Sequence, residues 1–159
     1  MCAVVDKKEA EDLKKARATI FRLLKIRLRS EQEIRDKLKL KHFPAKVIEE
    51  TIGYFQDLTL IDDRQFAQNW IASRLKKPFG THRIRLELKT KGIDKDILED
   101  ELKKATLECP EFDIVMQLAQ KQGSKYRDAP KEKIQQRLYQ YLLRRGFSTA
   151  TVMKVIKKL

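Results

Sequence analysis

The sequence predicts an all-α protein of about nine helices, arranged as three tandem three-helix repeats. Turn-forming residues are scarce, with 5 Gly and 4 Pro among 159 residues, whereas good helix formers dominate. Apolar residues recur at three- and four-residue spacing along most of the chain. Similar segments return about every fifty residues. One such three-helix unit is a marginal core, so stacked units are expected to bury the apolar faces that remain.

The first three helices are predicted before residue 58. Residues 1–15 are expected to be an N-terminal extension or the start of the first helix, whose apolar periodicity begins near Ala10. A capping box follows, in which the Ser30 hydroxyl accepts from the Glu33 amide while the Glu33 side chain reaches back. It opens the second helix. Pro44 suits the first position of the third helix.

The next three helices are predicted between residues 59 and 107. Asp62 and Asp63 favour a helix N-terminus through capping and the helix dipole, so they open the fourth helix. Phe66 lies on the apolar face of that helix, which breaks at Pro78-Phe79-Gly80. The fifth helix is expected to stop at Gly92, and Asp94 caps the sixth.

The last three helices are predicted between residues 108 and 159. Cys109-Pro110 starts the seventh helix and Pro130 starts the eighth. The eighth is expected to stop at Gly146, and Ser148 caps the ninth.

The middle helix of each group carries the repeat. Each has an apolar pair at positions i and i+4, then basic residues, a stop residue and another apolar residue. The three segments are Ile34 to Phe43, Ile84 to Ile93 and Leu138 to Phe147, followed by a further apolar residue at Ile48, Ile97 and Val152. The alternative is that amphipathic helices resemble one another, but the shared order favours a true repeat.

The stop residues predict a left-handed backbone at three places. Gly92 and Gly146 adopt that conformation at little cost, and the next apolar residue folds back on the last helical turn. His42 takes the stop position in the first unit. A non-glycine residue there is strained, so a looser stop is expected.

The net charge of +13 predicts a polyanionic partner, nucleic acid first and an anionic membrane surface second. The excess is +5 over residues 1–53 (14 basic against 9 acidic), +1 over residues 54–108 (11 against 10) and +7 over residues 109–159 (11 against 4). The charge therefore concentrates at the two ends of the sequence. General solubility is the simpler alternative.

Several functional classes lack a signature in the sequence. Cys2 and Cys109 form neither a disulfide framework nor a metal-binding spacing, and they fit a reducing compartment. There is no phosphate loop, dinucleotide fingerprint or nucleophile elbow. No apolar run reaches the length of a membrane span, and Met1 to Lys15 lacks a signal-peptide core. The expectations are a cytoplasmic, non-enzymatic protein without a metal or cofactor.

Motifs in all three groups resemble one family. The run Leu60-Ile61-Asp62-Asp63-Arg64-Gln65-Phe66-Ala67 resembles the Asp-Asp-x-x-Phe-Ala signature of the bacterial RecX regulatory proteins. Lys77-Pro78-Phe79-Gly80 and the segment Ile84 to Ile93 are similar to the second-unit pattern of that family. Arg144-Arg145-Gly146-Phe147 resembles its third-unit ending, and Ser30 to Glu33 with Leu38 its first unit. The resemblance runs from about Ala16 to the C-terminus.

The resemblance implies both an architecture and a role. The three units, residues 16–58, 59–107 and 108–159, would form an elongated, curved array. The protein would bind the RecA recombinase, lie in the groove of the RecA–DNA filament, and modulate strand exchange, ATP hydrolysis and LexA cleavage, most often as an inhibitor. A monomer is expected. His42 departs from the family pattern, which has a stop glycine at this position.

The residues themselves indicate where a polyanion would bind. Basic side chains near the ends of the helices would neutralise phosphates and release counterions. The twelve candidates are Arg35, Lys39, Lys41, Arg74, Lys76, Lys77, Arg83, Arg85, Lys89, Lys91, Arg144 and Arg145. Favourable interaction with a helix dipole is the alternative for each of them alone. Replacing Arg83 and Arg85 with alanine is expected to weaken filament binding and leave the fold intact.

Other notable residues have simpler structural explanations. Asp62 and Asp63 are expected to cap a helix and not to form a catalytic pair, and Gly80, Gly92 and Gly146 are structural. Trp70 could stack on a base but is expected to pack in the core. Tyr139 and Tyr141 suit either nucleic acid or partial burial. His42 and His82 lack metal-ligand partners in the sequence, and Cys109 is expected to be structural.

Three other functions remain open from the sequence. The first is a DNA-binding protein with tandem helix-turn-helix-like units, which would need no RecA. The second is a helical-repeat scaffold that binds protein only, with little dependence on salt. The weakest is a hydrolase, because its active site would have to be assembled from scattered residues.

Overall fold

The computed structural model describes residues 2–108, 110–126 and 129–159, with side chains from Lys7 onward except at Glu108. These residues form nine α-helices and no strand, which confirms the predicted fold class. Cys109 lies outside the described residues. The helices are α1 (Cys2–Ile26), α2 (Glu31–Leu40), α3 (Ala45–Asp57), α4 (Asp63–Leu75), α5 (Thr81–Thr90), α6 (Lys95–Glu108), α7 (Glu111–Gly123), α8 (Lys131–Arg144) and α9 (Thr149–Lys158), with a 3₁₀ turn at Ser124–Tyr126.

Each group of three helices has a hydrophobic core of its own. The first unit, α1–α3, buries residues such as Ile20 and Phe55. The second unit, α4–α6, is packed around Leu88, and the third unit, α7–α9, around Leu142. Helices that pack side by side in this part of the chain belong to the same unit. Ile61 packs on the first core, so this core includes a residue beyond the predicted unit limit at residue 58.

The array is elongated. Its accessible surface is 10654 Å², whereas a compact monomer of this mass would have roughly 8,300 Å². The excess follows because the described residues form three separate cores and no common one, so the units expose surfaces that a globular packing would cover.

Side-chain capping accounts for several helix starts, whereas α3, α5, α7 and α8 follow a Pro or Gly without a side-chain cap. The Ser30 hydroxyl accepts from the Glu33 amide at 3.2 Å, and Asp62 accepts from the amides of Arg64 and Gln65 at 2.8 and 3.0 Å. Ser148 caps α9 in the same way.

Two local predictions were wrong. The Glu33 side chain does not reach back to close the capping box, because its carboxylate instead accepts from Arg27 and Lys91. Pro44 is the residue before α3 and not the first residue within it. The helix α1 begins at Cys2, so residues 2–15 form the start of the first helix, which is one of the two alternatives expected for this segment.

The three helix stops share one backbone geometry. The φ angles of His42, Gly92 and Gly146 are 60°, 75° and 84°. The following residue closes each stop with a hydrogen bond to the last turn, at 3.3 Å from Phe43 N to Leu38 O and 3.1 Å from Ile93 N to Leu88 O. The expected looser stop at His42 was therefore wrong.

The middle helices α2, α5 and α8 join end to end. At the first junction, between the first and second units, the Ser30 hydroxyl donates to Lys91 O at 2.7 Å, and the Asp63 carboxylate accepts from the Glu31 amide at 2.8 Å. At the second junction, Gly80 N donates to Arg145 O at 2.9 Å and His82 N to Gly146 O at 3.1 Å. At the second junction, free amides at the start of α5 thus meet free carbonyls at the end of α8, whereas side chains make both hydrogen bonds of the first junction.

The junctions explain which stops must be glycine. A Cβ atom on Gly92 would overlap the side chain of Gln32, and one on Gly146 would overlap Arg83. The end of α2 packs against no further unit in the described part of the chain, so His42 remains exposed and bears only the conformational cost.

The repeat register differs by one residue from the prediction in the second unit. The apolar residue six positions after the stop is Ile48, Leu98 and Val152, and all three are buried. Ile97 is only partly buried beside the second core. Counting from the stop residue therefore shows that Leu98, and not the predicted Ile97, is equivalent to Ile48 and Val152.

Candidate nucleic-acid interface

The twelve predicted cations divide into two groups of six. Arg35, Arg74, Arg83, Arg85 and Lys91 take part in ion pairs within the protein, and Arg145 contacts a carbonyl and two rings. The other six have no ion pair, side-chain hydrogen bond or ring contact in the described part of the chain. They are Lys39, Lys41, Lys76, Lys77, Lys89 and Arg144, all exposed.

Arg35 and Arg85 hold neighbouring helices together. Arg35 in α2 pairs with Glu49 in α3, and Arg85 in α5 pairs with Glu99 in α6 through two hydrogen bonds of 2.6 and 2.9 Å. Hydrogen bonding to Arg85 lowers the pKa of Glu99. Both arginines therefore have a structural role at equivalent repeat positions.

Glu87 organises the cations around Trp70. Its carboxylate accepts from Arg74 at 2.6 Å, from Arg83 at 3.2 Å and from the indole N–H of Trp70 at 2.9 Å. The Trp70 ring also stacks on Phe66, with a centroid distance of 5.7 Å. Trp70 is partly buried against the second core, as its expected packing role requires.

Glu33 is the carboxylate that pairs with basic side chains at the first junction. Burial acts to raise its pKa, but hydrogen bonds from Arg27 and Lys91 outweigh this and lower the pKa to about 2. The Lys91 ammonium lies 2.5 Å from the Glu33 carboxylate and 4.3 Å from the Trp70 ring centroid. These residues border a groove of about 510 Å³ in which cations and carboxylates already neutralise one another.

Replacing Glu33 with glutamine is expected to make stability less dependent on acid pH. The pKa of Glu33 is lowered from 4.5 to about 2 in the folded protein, so its contribution is present above pH 4.5 and lost as the pH falls towards 2. Melting temperatures of both proteins from pH 7 to pH 2 test this. Glu50→Gln, at an exposed carboxylate of α3 without an ion pair in the described chain, is the control. An unchanged acid profile for Glu33→Gln would contradict the assignment.

The second junction is the place where two guanidinium groups approach one ring. The Arg83 guanidinium carbon lies 4.1 Å from the Phe79 centroid, and that of Arg145 lies 5.8 Å from it. Arg145 also donates to Pro78 O at 3.3 Å. Because Arg145 belongs to the third unit and Phe79 to the second, these contacts hold the junction together.

The six cations that have no ion pair among the described residues lie near helix ends. Lys39 and Lys89 occupy equivalent positions in the last turns of α2 and α5, and Arg144 ends α8. Lys76 and Lys77 follow α4. The helix dipole favours such positions by roughly 0.3–1 kcal/mol each. Unlike the paired arginines, these side chains can neutralise phosphates without giving up an internal ion pair.

Asp62 and Asp63 make contacts that stabilise the fold. Asp62 caps α4, whereas Asp63 accepts from the start of α2 across the first junction. Burial raises the pKa of Asp63, partly opposed by its hydrogen bond from the Glu31 backbone. No group of three metal-ligating residues occurs in the described part of the chain, where no helix has the length and apolar character needed to cross a membrane.

The tyrosines considered as nucleic-acid contacts are partly buried, whereas the two histidines are exposed. Tyr139 and Tyr141 are partly buried against the third core, and Tyr141 lies 5.0 Å from the Arg145 guanidinium. His42 and His82 are exposed.

Sequence reasoning missed one signal, the recurrence of arginine and glutamate fourteen residues apart at Arg35–Glu49 and Arg85–Glu99.

Comparison with protein families gives three matches in chain order. Residues 16–55 match the first three-helix domain of RecX, residues 62–102 the second, and residues 110–156 the third. These spans include both junction ends of every middle helix. The six predicted cations that have no ion pair among the described residues all lie within these spans.

Individual relatives cover nearly the whole chain. The regulatory protein RecX of Prosthecochloris aestuarii is 34% identical over 93% of this chain and 95% of its own length. RecX of Clostridium beijerinckii is 31% identical over 94% of this chain and 70% of its own length. The crystal structure of RecX from Lactobacillus salivarius superposes with a TM-score of 0.85 at 30% identity, covering 94% of this chain and 97% of the other.

Proposed function

This chain belongs to the RecX family of regulatory proteins, and from that premise we propose that it binds the RecA recombinase on DNA and inhibits its recombination, ATPase and coprotease activities. The observation that carries the proposal is the ordered match of all three units. In this proposal the protein acts as a cytoplasmic monomer, needs no cofactor and catalyses no reaction.

The distribution of charge supports a partner that contains nucleic acid. Lys76, Lys77, Lys89 and Arg144 have no ion pair in the described chain, although acidic residues neutralise much of the surrounding second unit. Such cations bind phosphates with a strong dependence on salt. An elongated array with cations in successive units can follow a long, repetitive polyanion better than a compact protein of equal charge.

The alternative, direct reading of duplex DNA, has some geometric support. Each unit ends in two helices joined by a short turn, as in α2–α3 and α5–α6. However, the second helix of such a pair would enter the major groove. Helix α3 carries one Lys against three acidic residues, and α6 carries three Lys against five. Among α3, α6 and α9, the second helices of the three pairs, only α9 is basic, so the charge favours the filament over naked duplex as the partner.

Regulation would follow from differential binding. A protein that binds one conformation of the RecA filament better than another shifts the filament towards that conformation, up to the difference in binding free energy. An array that spans neighbouring protomers would oppose the conformational changes that accompany ATP hydrolysis. In this mechanism, the protein's basic side chains bind and orient, and none transfers a proton or a group.

The proposed inhibition is tested by titrating the protein into RecA on single-stranded DNA. ATP hydrolysis and LexA cleavage are followed in parallel at constant salt. We expect both rates to fall with the same midpoint, because one binding event alters one filament. Stimulation of both rates would contradict inhibition but retain RecA as the partner. No effect on either rate, at concentrations that saturate DNA, would favour the direct DNA-binding alternative.

A further inference from the structure

Exposed apolar side chains are concentrated in the first unit. In the described chain, seven of the eleven large apolar side chains with extensive exposure precede α4. They are Phe21, Ile26, Leu28, Leu40, Tyr54, Leu58 and Leu60. Where such side chains form one contiguous patch, the patch usually marks a protein-binding surface. The second and third units, by contrast, carry four.

Part of this surface forms a groove with a cationic edge. Phe21, Leu24 and Leu60 line a depression of about 400 Å³, and Arg22 and Lys25 of α1 border it. The Phe21 ring is 51% exposed yet packs edge-on against Phe55, with centroids 4.8 Å apart. The core therefore holds the ring in place from one side and leaves the other side open. We call these five lining residues the unit-one groove.

The backbone beside the unit-one groove is strained. Thr59 has a φ of 54°, which a β-branched residue rarely adopts. Hydrogen bonds from Thr59 N to Gln56 O at 2.8 Å and from Leu60 N to Phe55 O at 2.9 Å maintain this turn. The turn presents Leu58 and Leu60 to solvent. Backbone strain of this kind tends to persist where a surface serves a function.

The equivalent depression of the second unit, about 250 Å³ beside Ala72 and Leu75, has no aromatic ring in its lining. Counting from the buried pairs Ala16 and Ala67, then Ile20 and Ile71, places Ala72 where the first unit has Phe21. By the same count Ser73 replaces Arg22. Lys25 has a counterpart in Lys76, so the large exposed ring of Phe21 and the cation at Arg22 are the features that belong to the first unit alone.

We propose that the unit-one groove docks an acidic segment of a partner protein that inserts a large apolar side chain. The open face of Phe21 and the exposed Leu60 offer apolar contact, whereas Arg22 and Lys25 favour carboxylates beside it. The inference rests on the proposed function, in which the partner is RecA. The first unit then contacts protein, and the unpaired cations of the later units contact phosphates.

The test compares variants with intact folds on two targets. The variant F21S/L60S removes the apolar contacts, and R22E/K25E reverses the charge of the edge. The matched controls are L107S/M153S, at exposed apolar residues of α6 and α9, and K7E/K8E, at exposed lysines of α1. Each protein is labelled and titrated with RecA filaments on oligo-dT with a slowly hydrolysed nucleotide, and separately with oligo-dT alone. Circular dichroism melts check folding.

The expected result separates the two targets. Both groove variants should bind filaments at least about tenfold more weakly, as the loss of an interface anchor predicts, while their affinity for oligo-dT changes less than about twofold. The controls should bind both like the wild type. If F21S/L60S loses folding, the exposed pair in R22E/K25E still decides the question.

Four results would overturn the inference. Wild-type affinity of both groove variants for filaments would exclude the groove as a contact. Weaker binding of these variants to oligo-dT alone would make it a nucleic-acid site. If the wild type binds phosphatidylglycerol vesicles and both groove variants lose this binding while they still bind filaments, the groove would be a membrane site. Failure of the wild type itself to bind filaments would instead refute the proposed function, and the inference with it.

Discussion

Replacing Gly80 with alanine is expected to open the junction between the second and third units while all three cores remain folded. A Cβ atom at this position would overlap the backbone of Gly146 and Phe147, which cannot move aside as a flexible side chain would. The hydrogen bonds from Gly80 N and His82 N would break as the two units separate. Overpacking and the two broken hydrogen bonds together should weaken the junction by about 3 kcal/mol.

Small-angle X-ray scattering and thermal melting measure this effect. We expect Gly80→Ala to change the maximum dimension of the array, to keep the helical circular dichroism, and to bind filaments at least about tenfold more weakly because its units no longer share one geometry. Gly53→Ala is the control, because no atom lies within 4 Å of the added methyl. Within α3 it should stabilise the protein by about 0.5–1 kcal/mol. An unchanged scattering profile for Gly80→Ala would show that the junction does not set the shape.

Neutralising four cations should have the largest effect on binding to polyanions. Replacing Lys76, Lys77, Lys89 and Arg144 with glutamine removes side chains that have no internal ion pair in the described chain, so the fold should be unaffected. Each phosphate that the variant no longer neutralises should reduce the slope of log affinity against log salt by roughly 0.7 on single-stranded DNA. At about 0.1 M salt the affinity should fall by at least about tenfold.

A matched variant separates the position of the charges from their number. Replacing the exposed Lys7, Lys8, Lys14 and Lys103 with glutamine changes the net charge equally. We expect it to retain most of the affinity and the salt slope, measured by fluorescence anisotropy at several salt concentrations. Equal losses in both variants would mean that net charge alone controls binding and that the four cations are not a site.

Replacing Arg83 and Arg85, the pair that the sequence favoured, is a less decisive test of phosphate binding. Arg85 holds α5 to α6 through Glu99, and Arg83 contacts Glu87 and the Phe79 ring. Replacing both with alanine would remove internal ion pairs along with any phosphate contact. Weaker binding could then come from a displaced helix, so the predicted preservation of the fold must be measured for this variant.

Local rules explain why so much of the fold could be predicted. Ser30, Asp62 and Ser148 act through amides two or three residues away, and Gly92 and Gly146 act through their own backbone conformation. Apolar periodicity identifies the buried faces without knowledge of their partners. Each of these signals lies within a few residues of the feature that it predicts.

The candidate site depends on contacts between distant residues, so less of it could be predicted. Lys91 meets Glu33 across 58 positions, and Arg145 meets Pro78 across 67. The sequence does not distinguish a basic residue near a helix end that forms an ion pair from one that does not. Lys89 is an example of the second kind, because it has no ion pair in the described chain. The repeated fourteen-residue spacing of Arg85 and Glu99 was the one readable signal.

Binding of labelled single-stranded DNA over a salt series, with and without RecA and a slowly hydrolysed nucleotide, tests the central proposal most directly. The proposal predicts that the protein binds tightly only when RecA coats the DNA, and that part of this affinity survives at high salt because protein contacts contribute to it. Equally tight, strongly salt-dependent binding to DNA without RecA would contradict it and make this protein a direct DNA binder.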